Sequence, residues 1–491
     1  MTGAGRFGDL FAHGAGGLDR VGQVVDLLVA ALPPDGPLWS GVDPEIFAGA
    51  IEALDPLPDE GLPIATVIDE IQRVVLSNSL LVGHPSCLAH LHCPTLVNSA
   101  ATELIIGLMN QSMDSFDQSP SGTLVEDRLV RRLAQLMALP PTASGVLTAG
   151  GTASNLLGLA IARGAAARDR GFDLAADGLP PEASNWRIVA SELSHFSVTR
   201  AAMVMGLGRR AVVGVPTLSD GSMDPDAIAG VLAGIRAGGN EVIVLVGTAG
   251  TTDHGAIDPL DLLADHAAAI GTWFHVDAAV GGALALSDRL APRLAGIGRA
   301  DSLTVDLHKM WWQPISSSAL LLARGADFAA IHEHSDYLDR PEDEGVVNLV
   351  GRSLDTTRLF DALKVLVGLR STGRLRMGQM LDYLVDLTAE VAGLIEAHPS
   401  LELVAPPSTF MVLFRWTAAG LDDDQVDAAN IALQRELFDR GAALIGRTRV
   451  NGRVVLKLTL MNPTVEFAEI SAVLDAIVAL APSPHESRSN P

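Results

Sequence analysis

The stretch DSLTVDLHKMWWQPISSSAL (301–320) decides how the whole chain is read. It opens as a short apolar strand, SLTVD. It reaches Asp306, His308 and Lys309 as that strand ends, just before the aromatic pair Trp311 and Trp312. Open α/β sheets build their sites at the C-terminal ends of strands. Of the 34 basic residues in the 491-residue chain only three are lysines: Lys309, Lys364 and Lys457. An arginine cannot shed its proton or bond covalently to a carbonyl carbon, whereas a lysine does both. An ordinary solvated lysine is the plain alternative, but the flanks LTVDL and MWW are too apolar for a solvated face. The expectation is a lysine used for covalent chemistry.

Working outward, the middle of the chain alternates strand and helix patterns. Strands are expected at 145–148, 187–191, 211–216, 241–247, 273–278, 302–306 and 318–323, with helices between them at 152–169, 224–236 and 258–270. Strands separated by helices indicate an α/β fold with a mostly parallel seven-stranded sheet covered on both faces. Near 356 the pattern changes to long helices (356–371 and 376–398), then short strands at 401–405, 410–416 and 453–460 with helices at 423–440 and 464–480. That is a smaller C-terminal α+β domain. Upstream, 18–32 and 63–77 read as amphipathic helices joined by a connector rich in Pro, Gly and Asp. They have little core of their own and, read as unable to pack on each other, need a partner surface. The expected organisation is a Gly-rich disordered tail (1–16), an N-terminal helical dimerisation segment (17–97), a large cofactor-binding domain (98–355), a small C-terminal domain (356–480) and a polar disordered tail (481–491).

Composition narrows the function classes. The chain is 48% apolar and 19% charged, with a net charge of −24, which disfavours nucleic acid and anionic membranes as partners. No apolar run is free enough of Pro, His, Gly and Asn to span a bilayer. Two cysteines, Cys87 and Cys93, are too few for a disulfide framework, and the start lacks a basic stretch followed by an apolar core, so a cytoplasmic location is expected. His84, His90 and His92 beside those cysteines invite a metal reading, but the spacing fits no common closed zinc site, so no metal is expected. A loop lining a pocket is the better expectation for 84–95.

Four further motifs fall at strand ends. GVLTAGGTASN (145–155) is a strand, a Gly-rich turn and a helix start. There Gly150 and Gly151 let backbone N–H groups approach an anion, while Thr152 can cap the helix. SELSHFSV (191–198) places His195 just past a strand, where an imidazole can stack on a flat ring. VGTAGTTDHG (246–255) puts the Thr248 hydroxyl at a strand end. WFHVDAAVGG (273–282) carries Asp277, a carboxylate able to keep a pyridine nitrogen protonated, beside Ala278 and Ala279, which leave room for a ring. Each motif alone is weak. The ordered set of anion cradle, stacking histidine, carboxylate and late lysine matches what pyridoxal 5'-phosphate requires.

From about residue 80 to 480 the chain resembles the group II pyridoxal-phosphate-dependent amino acid decarboxylases, which have the fold type I architecture. The likeness rests on HVDAA with Asp277, on the His308–Lys309 pair, and on SPSGTLVE (119–126). HLHCPT (90–95), NQSMDSFDQSP (110–120), HKMWWQPIS (308–316), HSDYL (334–338) and GRTRVNGRVVLKLTLMNP (446–463) are similar to the L-2,4-diaminobutyrate decarboxylase branch. TAGGTASN departs from the family's SGGT-x-SN at Ala149. MWW after the lysine departs too, with an expected effect on pocket shape. The resemblance implies that Lys309 bonds covalently to the cofactor, Asp277 pairs with the ring nitrogen and His195 stacks on the ring. It further implies that Gly150, Gly151 and Thr152 hold the phosphate near His308, and that Thr248 and Ala279 line the ring. Tyr337, in a polar acidic stretch that reads as a surface lid, would help protonate the product carbon. A homodimer with sites at the interface is implied as well, which would give the N-terminal helices their partner.

The implied reaction is decarboxylation of an L-amino acid, with L-2,4-diaminobutyrate to 1,3-diaminopropane the first expectation. His84, His90, His92, Asp114 and Asp117 are the expected substrate contacts, the two acids suiting a cationic side chain. The alternatives are an aromatic, glutamate or aspartate decarboxylase, or an aminotransferase or C–C lyase on the same fold. An aminotransferase would usually clamp the substrate carboxylate with an arginine, for which Arg415 and Arg447 are open choices.

Overall fold

The computed structural model describes residues 10–33, 36–333 and 345–482. Three helices open the chain: α1 (Gly14–Ala31), α2 (Pro44–Glu52) and α3 (Ile64–Val74). The first begins four residues before its expected start, inside the stretch read as a tail. The second lies in the connector read as irregular. Its signals are Pro44 in the first turn and the Asp43 carboxylate, which accepts from Glu45 N at 2.8 Å as an N-cap. Contrary to expectation, α1 and α3 do pack on each other. They still leave Leu18, Leu27, Leu28, Val29 and Ile64 exposed.

The large domain follows. After β1 (Cys87–Leu88) come α4 (Val97–Met109), α5 (Pro120–Leu136), β2 (Ser144–Thr148), α6 (Gly151–Asp169), α7 (Leu174–Asp177), β3 (Trp186–Ser191), α8 (Ser197–Val204), β4 (Val212–Val215), α9 (Pro225–Ala237), β5 (Glu241–Thr248), α10 (Leu260–Ile270), β6 (Trp273–Asp277), β7 (Ser302–Asp306) and β8 (Ser318–Leu322). Seven of these strands form one sheet in the order β2-β8-β7-β6-β5-β3-β4. All pairs are parallel except those made by β8, which runs antiparallel to both neighbours. This is the mostly parallel seven-stranded sheet of fold type I. The continuous apolar runs of the strands follow from burial on both faces. Val244 and Val246 face a core that includes Ile161 and Ala201 of the helices on one side. Leu245, between them, faces a core that includes Leu232 and Leu263 on the other.

The chain ends with α11 (Asp361–Thr372), α12 (Arg374–Ala397), β9 (Leu401–Ala405), β10 (Met411–Trp416), α13 (Asp423–Asp439), β11 (Leu444–Val450), β12 (Arg453–Thr459) and α14 (Phe467–Leu480). Its sheet has the order β1-β11-β12-β10-β9. Two strands were not expected. β11 alternates arginines with smaller residues and has no apolar run, and β1 is two residues long, pairing in parallel with β11 through Cys87–Leu444 and Leu88–Ile445. The loop at 84–95 is thereby tied to the small domain. α11 instead packs on α4 and α5.

Candidate active site

Register assembles the site. Thr248 on β5 pairs with Asp277 on β6, and Asp277 pairs with Thr304 on β7. Two residues further along β7, Asp306 pairs with Ser318 of β8, which also pairs with Thr148 at the end of β2. The polar ends of five strands thus lie side by side. Above them is a cavity of about 330 Å³. Gly150, Gly151, Thr152, His195, Thr248, Asp277, Ala279, His308 and Lys309 all line it.

The Gly-rich turn is pinned from below by hydroxyls. Thr148 Oγ1 and Ser154 Oγ are 2.7 Å apart, and Ser154 Oγ lies 3.0 Å from Ser318 Oγ. Gly150 occupies the N-cap of α6, and no side chain caps it. Thr152, expected as the cap, sits inside the first turn instead and is exposed. The first N–H groups of the helix therefore remain free for a ligand at the positive end of its dipole. Gly151 is required by space: a Cβ there would come within 2.9 Å of Asp306 Oδ2.

Asp306, not singled out from sequence as a site residue, is the counter-ion of the lysine. Its Oδ2 is 2.8 Å from Lys309 Nζ and 3.9 Å from His308 Nε2, and its Oδ1 is buried without a hydrogen-bond partner. The turn carrying Lys309 is fixed from several sides. His308 Nδ1 lies 2.7 Å from Ser317 O, Cys93 Sγ donates to Lys309 O at 2.9 Å, and Leu96 N donates to Trp312 O. Trp311 and Trp312, expected to shape the pocket, do not line it. Both are buried, with Trp312 Nε1 donating to Met461 O at 2.9 Å in the small domain. The other two lysines are also buried and paired, Lys364 with Glu103 and Asp361, and Lys457 with Asp253.

Asp277 is held by two donors. Asn155 Nδ2 reaches its Oδ2 at 2.7 Å, and Ala279 N reaches its Oδ1 at 3.1 Å. Asn155, in the TAGGTASN motif, was missed because an asparagine inside a helix carries no signal of its own. His195 Nδ1 is 2.7 Å from Ser197 Oγ. Burial holds the His195 imidazole below its usual value, against the pull of the Asp277 carboxylate.

The expected substrate contacts do not line this cavity. His84 is half-buried and its Nδ1 accepts from Ser86 N at 3.1 Å; His90 and His92 are exposed, although Leu91 between them does line the cavity. Asp114 is buried and accepts from Ser115 N, while Asp117 accepts from Ser115 Oγ at 2.5 Å. Arg415, one of the two open choices for a carboxylate clamp, is committed to Asp427 at 2.8 Å. Tyr337 lies outside the described residues. Among the described residues no group of three or more His, Cys, Asp or Glu side chains is placed to hold a metal ion, and no helix is long and apolar enough to cross a membrane.

These residues fit pyridoxal phosphate. The helix start offers an anion free backbone N–H groups, Asp277 offers a carboxylate to a protonated ring nitrogen, and Lys309 offers an amine to an aldehyde, all around one small cavity. Fold and site together define a pyridoxal-phosphate enzyme of fold type I. Residues 51–417 match the model of the pyridoxal-dependent decarboxylase conserved domain, and the chain belongs to that family. It is 40% identical to the L-2,4-diaminobutyrate decarboxylase of Rhizobium meliloti (strain 1021), over 93% of this chain and 90% of that one. It is 41% identical to the enzyme of that name from Acinetobacter baumannii, over 86% and 85% of the two chains. Among solved structures, the glutamate decarboxylase domain of diaminobutyrate-pyruvate transaminase and L-2,4-diaminobutyrate decarboxylase from Vibrio parahaemolyticus superposes with a TM-score of 0.89 at 38% identity, covering 96% of this chain and 98% of that one. The protein is a pyridoxal-phosphate-dependent amino acid carboxy-lyase.

Proposed function

We propose that the protein decarboxylates L-2,4-diaminobutyrate, giving 1,3-diaminopropane and carbon dioxide, and that it does so as a homodimer. The observation that carries the substrate is the pair of relatives of that name, each at about 40% identity over most of both chains. The dimer is supported by the apolar side chains of α1 and α3, which the chain itself leaves uncovered.

The residues divide the work as follows. Pyridoxal phosphate, when bound, supplies an electron sink for the pair released as carbon dioxide leaves. The start of α6, at Gly150, Gly151 and Thr152, binds the phosphate with His308 beside it. Lys309, whose amine lies against the Asp306 carboxylate, would hold the cofactor covalently at its aldehyde carbon, the position that the substrate amine would take in its place. Asp277 holds a proton on the ring nitrogen, because a buried carboxylate favours its charged partner. His195 covers one face of the ring and excludes water from it, while Thr248 and Ala279 bound the ring. The carbon that loses the carboxylate gains one proton, and Tyr337 is the residue proposed to deliver it.

The test is a screen of purified, cofactor-loaded enzyme against the common L-amino acids and L-2,4-diaminobutyrate, reading carbon dioxide release and amine product. The expected result is 1,3-diaminopropane formed with the highest kcat/KM. A higher value for an aromatic or acidic amino acid contradicts the substrate assignment.

A further inference from the structure

The Asp277 carboxylate is the end of a buried chain of hydrogen bonds that the roles above do not use. Asn155 sits at its centre. Its Nδ2 donates to Asp277 Oδ2 at 2.7 Å and to Ser197 Oγ at 2.9 Å, and its Oδ1 faces His275 Nε2 at 3.0 Å. The His275 ring is fully buried on β6, two residues before Asp277. Its Nδ1 lies 2.8 Å from Ser302 Oγ, which also accepts from Trp273 Nε1 at 2.8 Å. Gly158 of α6 makes the room: a Cβ there would lie 3.1 Å from His275 Cε1.

The direction of every bond follows. An indole N–H only donates, so Ser302 Oγ accepts from Trp273, and His275 Nδ1 is the acceptor within reach for the buried hydroxyl's own proton. Burial lowers the His275 imidazole to about 4, against the pull of Asp277, so the ring is neutral and its other nitrogen carries the proton. Nε2–H must therefore donate, and only Asn155 Oδ1 can accept it. That leaves both amide protons of Asn155 for Asp277 and Ser197. The opposite tautomer would favour the flipped amide and set an oxygen against the carboxylate.

We propose that His275 is a positioning residue whose tautomer, set by Ser302, fixes the Asn155 amide and through it the Asp277 carboxylate. This rests on the reading that Asp277 pairs with the ring nitrogen. A glutamine can present an N–H to Asn155, whereas a leucine cannot.

The test compares His275→Leu, His275→Gln and Asp277→Asn for cofactor dissociation constant without substrate, for kcat and KM separately, and for unfolding of the apoprotein. His275→Leu is expected to weaken cofactor binding and lower kcat by about tenfold or more with KM little changed. His275→Gln is expected to recover most of both. Combined with Asp277→Asn, His275→Leu should add little further loss, because the two act through one carboxylate. If His275→Leu does not fold, Ser302→Ala frees the same tautomer and should shift both readouts in the same direction. Parent-like cofactor affinity in His275→Leu overturns the proposal, as does a glutamine no better than leucine, or full additivity with Asp277→Asn. Parent-like turnover in Asp277→Asn overturns the ring-nitrogen reading itself. A crippled Asp277→Asn beside a parent-like His275→Leu overturns only the relay.

Discussion

Cys93 links the loop at 84–95 to the lysine turn, its thiol donating to Lys309 O at 2.9 Å with His308 O at 3.4 Å. Burial pushes the thiol up to about 12 from its ordinary 9.0. The folded state keeps this proton between about 9 and 12, where the unfolded chain loses it. The thiol's contribution is thus fully present below about pH 9 and is lost as pH rises toward 12. Between pH 8 and 10.5 the denaturation midpoint of the parent should fall further than that of Cys93→Ala, and iodoacetamide at pH 8 should leave Cys93 of the folded protein unlabelled. Labelling there, or equal pH slopes, would contradict the assignment. Lys309, Asp277 and the Gly150–Gly151 pair were legible because each is unusual where it stands: a rare lysine, an acid closing an apolar strand, paired glycines before a helix. Asn155 and His275 were not, since their importance lies in which neighbour the packing of α6 on the sheet brings within hydrogen-bond reach, and Asp306 was passed over although its partner Lys309 stands only three residues along the chain.

At the scale of elements, a buried ion pair between Glu126 of α5 and Arg358 holds Leu147 of β2, below the Gly-rich turn. Glu126, with its side chain 0% exposed, accepts from Arg358 Nη1 at 3.0 Å and from Leu147 N at 2.9 Å. Arg358 also donates to Leu147 O at 3.2 Å and Met113 O at 3.4 Å. Removing the guanidinium alone leaves a buried carboxylate without its counter-charge, so Arg358→Met should destabilise the protein by about 3–5 kcal/mol in urea unfolding. Adding Glu126→Gln should return part of that loss, since the amide still accepts from Leu147 N and carries no charge. A loss below about 1 kcal/mol would mean that water compensates the site. The strands and long helices were legible from hydrophobic period. What escaped was short or without apolar pattern: α2 in a Pro-rich connector, β11 with its alternating arginines, and β1 with two residues. The burial of Trp311 and Trp312 also escaped, because an aromatic pair after the lysine turn suits a pocket wall and a core buttress equally.

For the molecule as a whole, the mostly parallel seven-stranded sheet of the large domain was readable from the alternation of elements, whereas its strand order and the antiparallel β8 were not. The substrate contacts were not readable. His84, His90, His92, Asp114 and Asp117 are polar loop residues, and none faces the cavity of its own chain. If the proposed dimer forms, sedimentation should give twice the mass of the chain, and deletion of residues 10–60 should shift the equilibrium toward monomer. A monomer at micromolar concentration would leave the exposed faces of α1 and α3 unexplained. The account depends above all on Lys309 as the residue that takes the cofactor covalently. The direct measurement is borohydride reduction of the cofactor-loaded enzyme followed by peptide mass mapping of all three lysines. The account predicts one pyridoxyl group, on Lys309, and none in Lys309→Ala, with Lys364 and Lys457 unmodified in both. A pyridoxyl group on Lys457, or an adduct that survives Lys309→Ala, would contradict it.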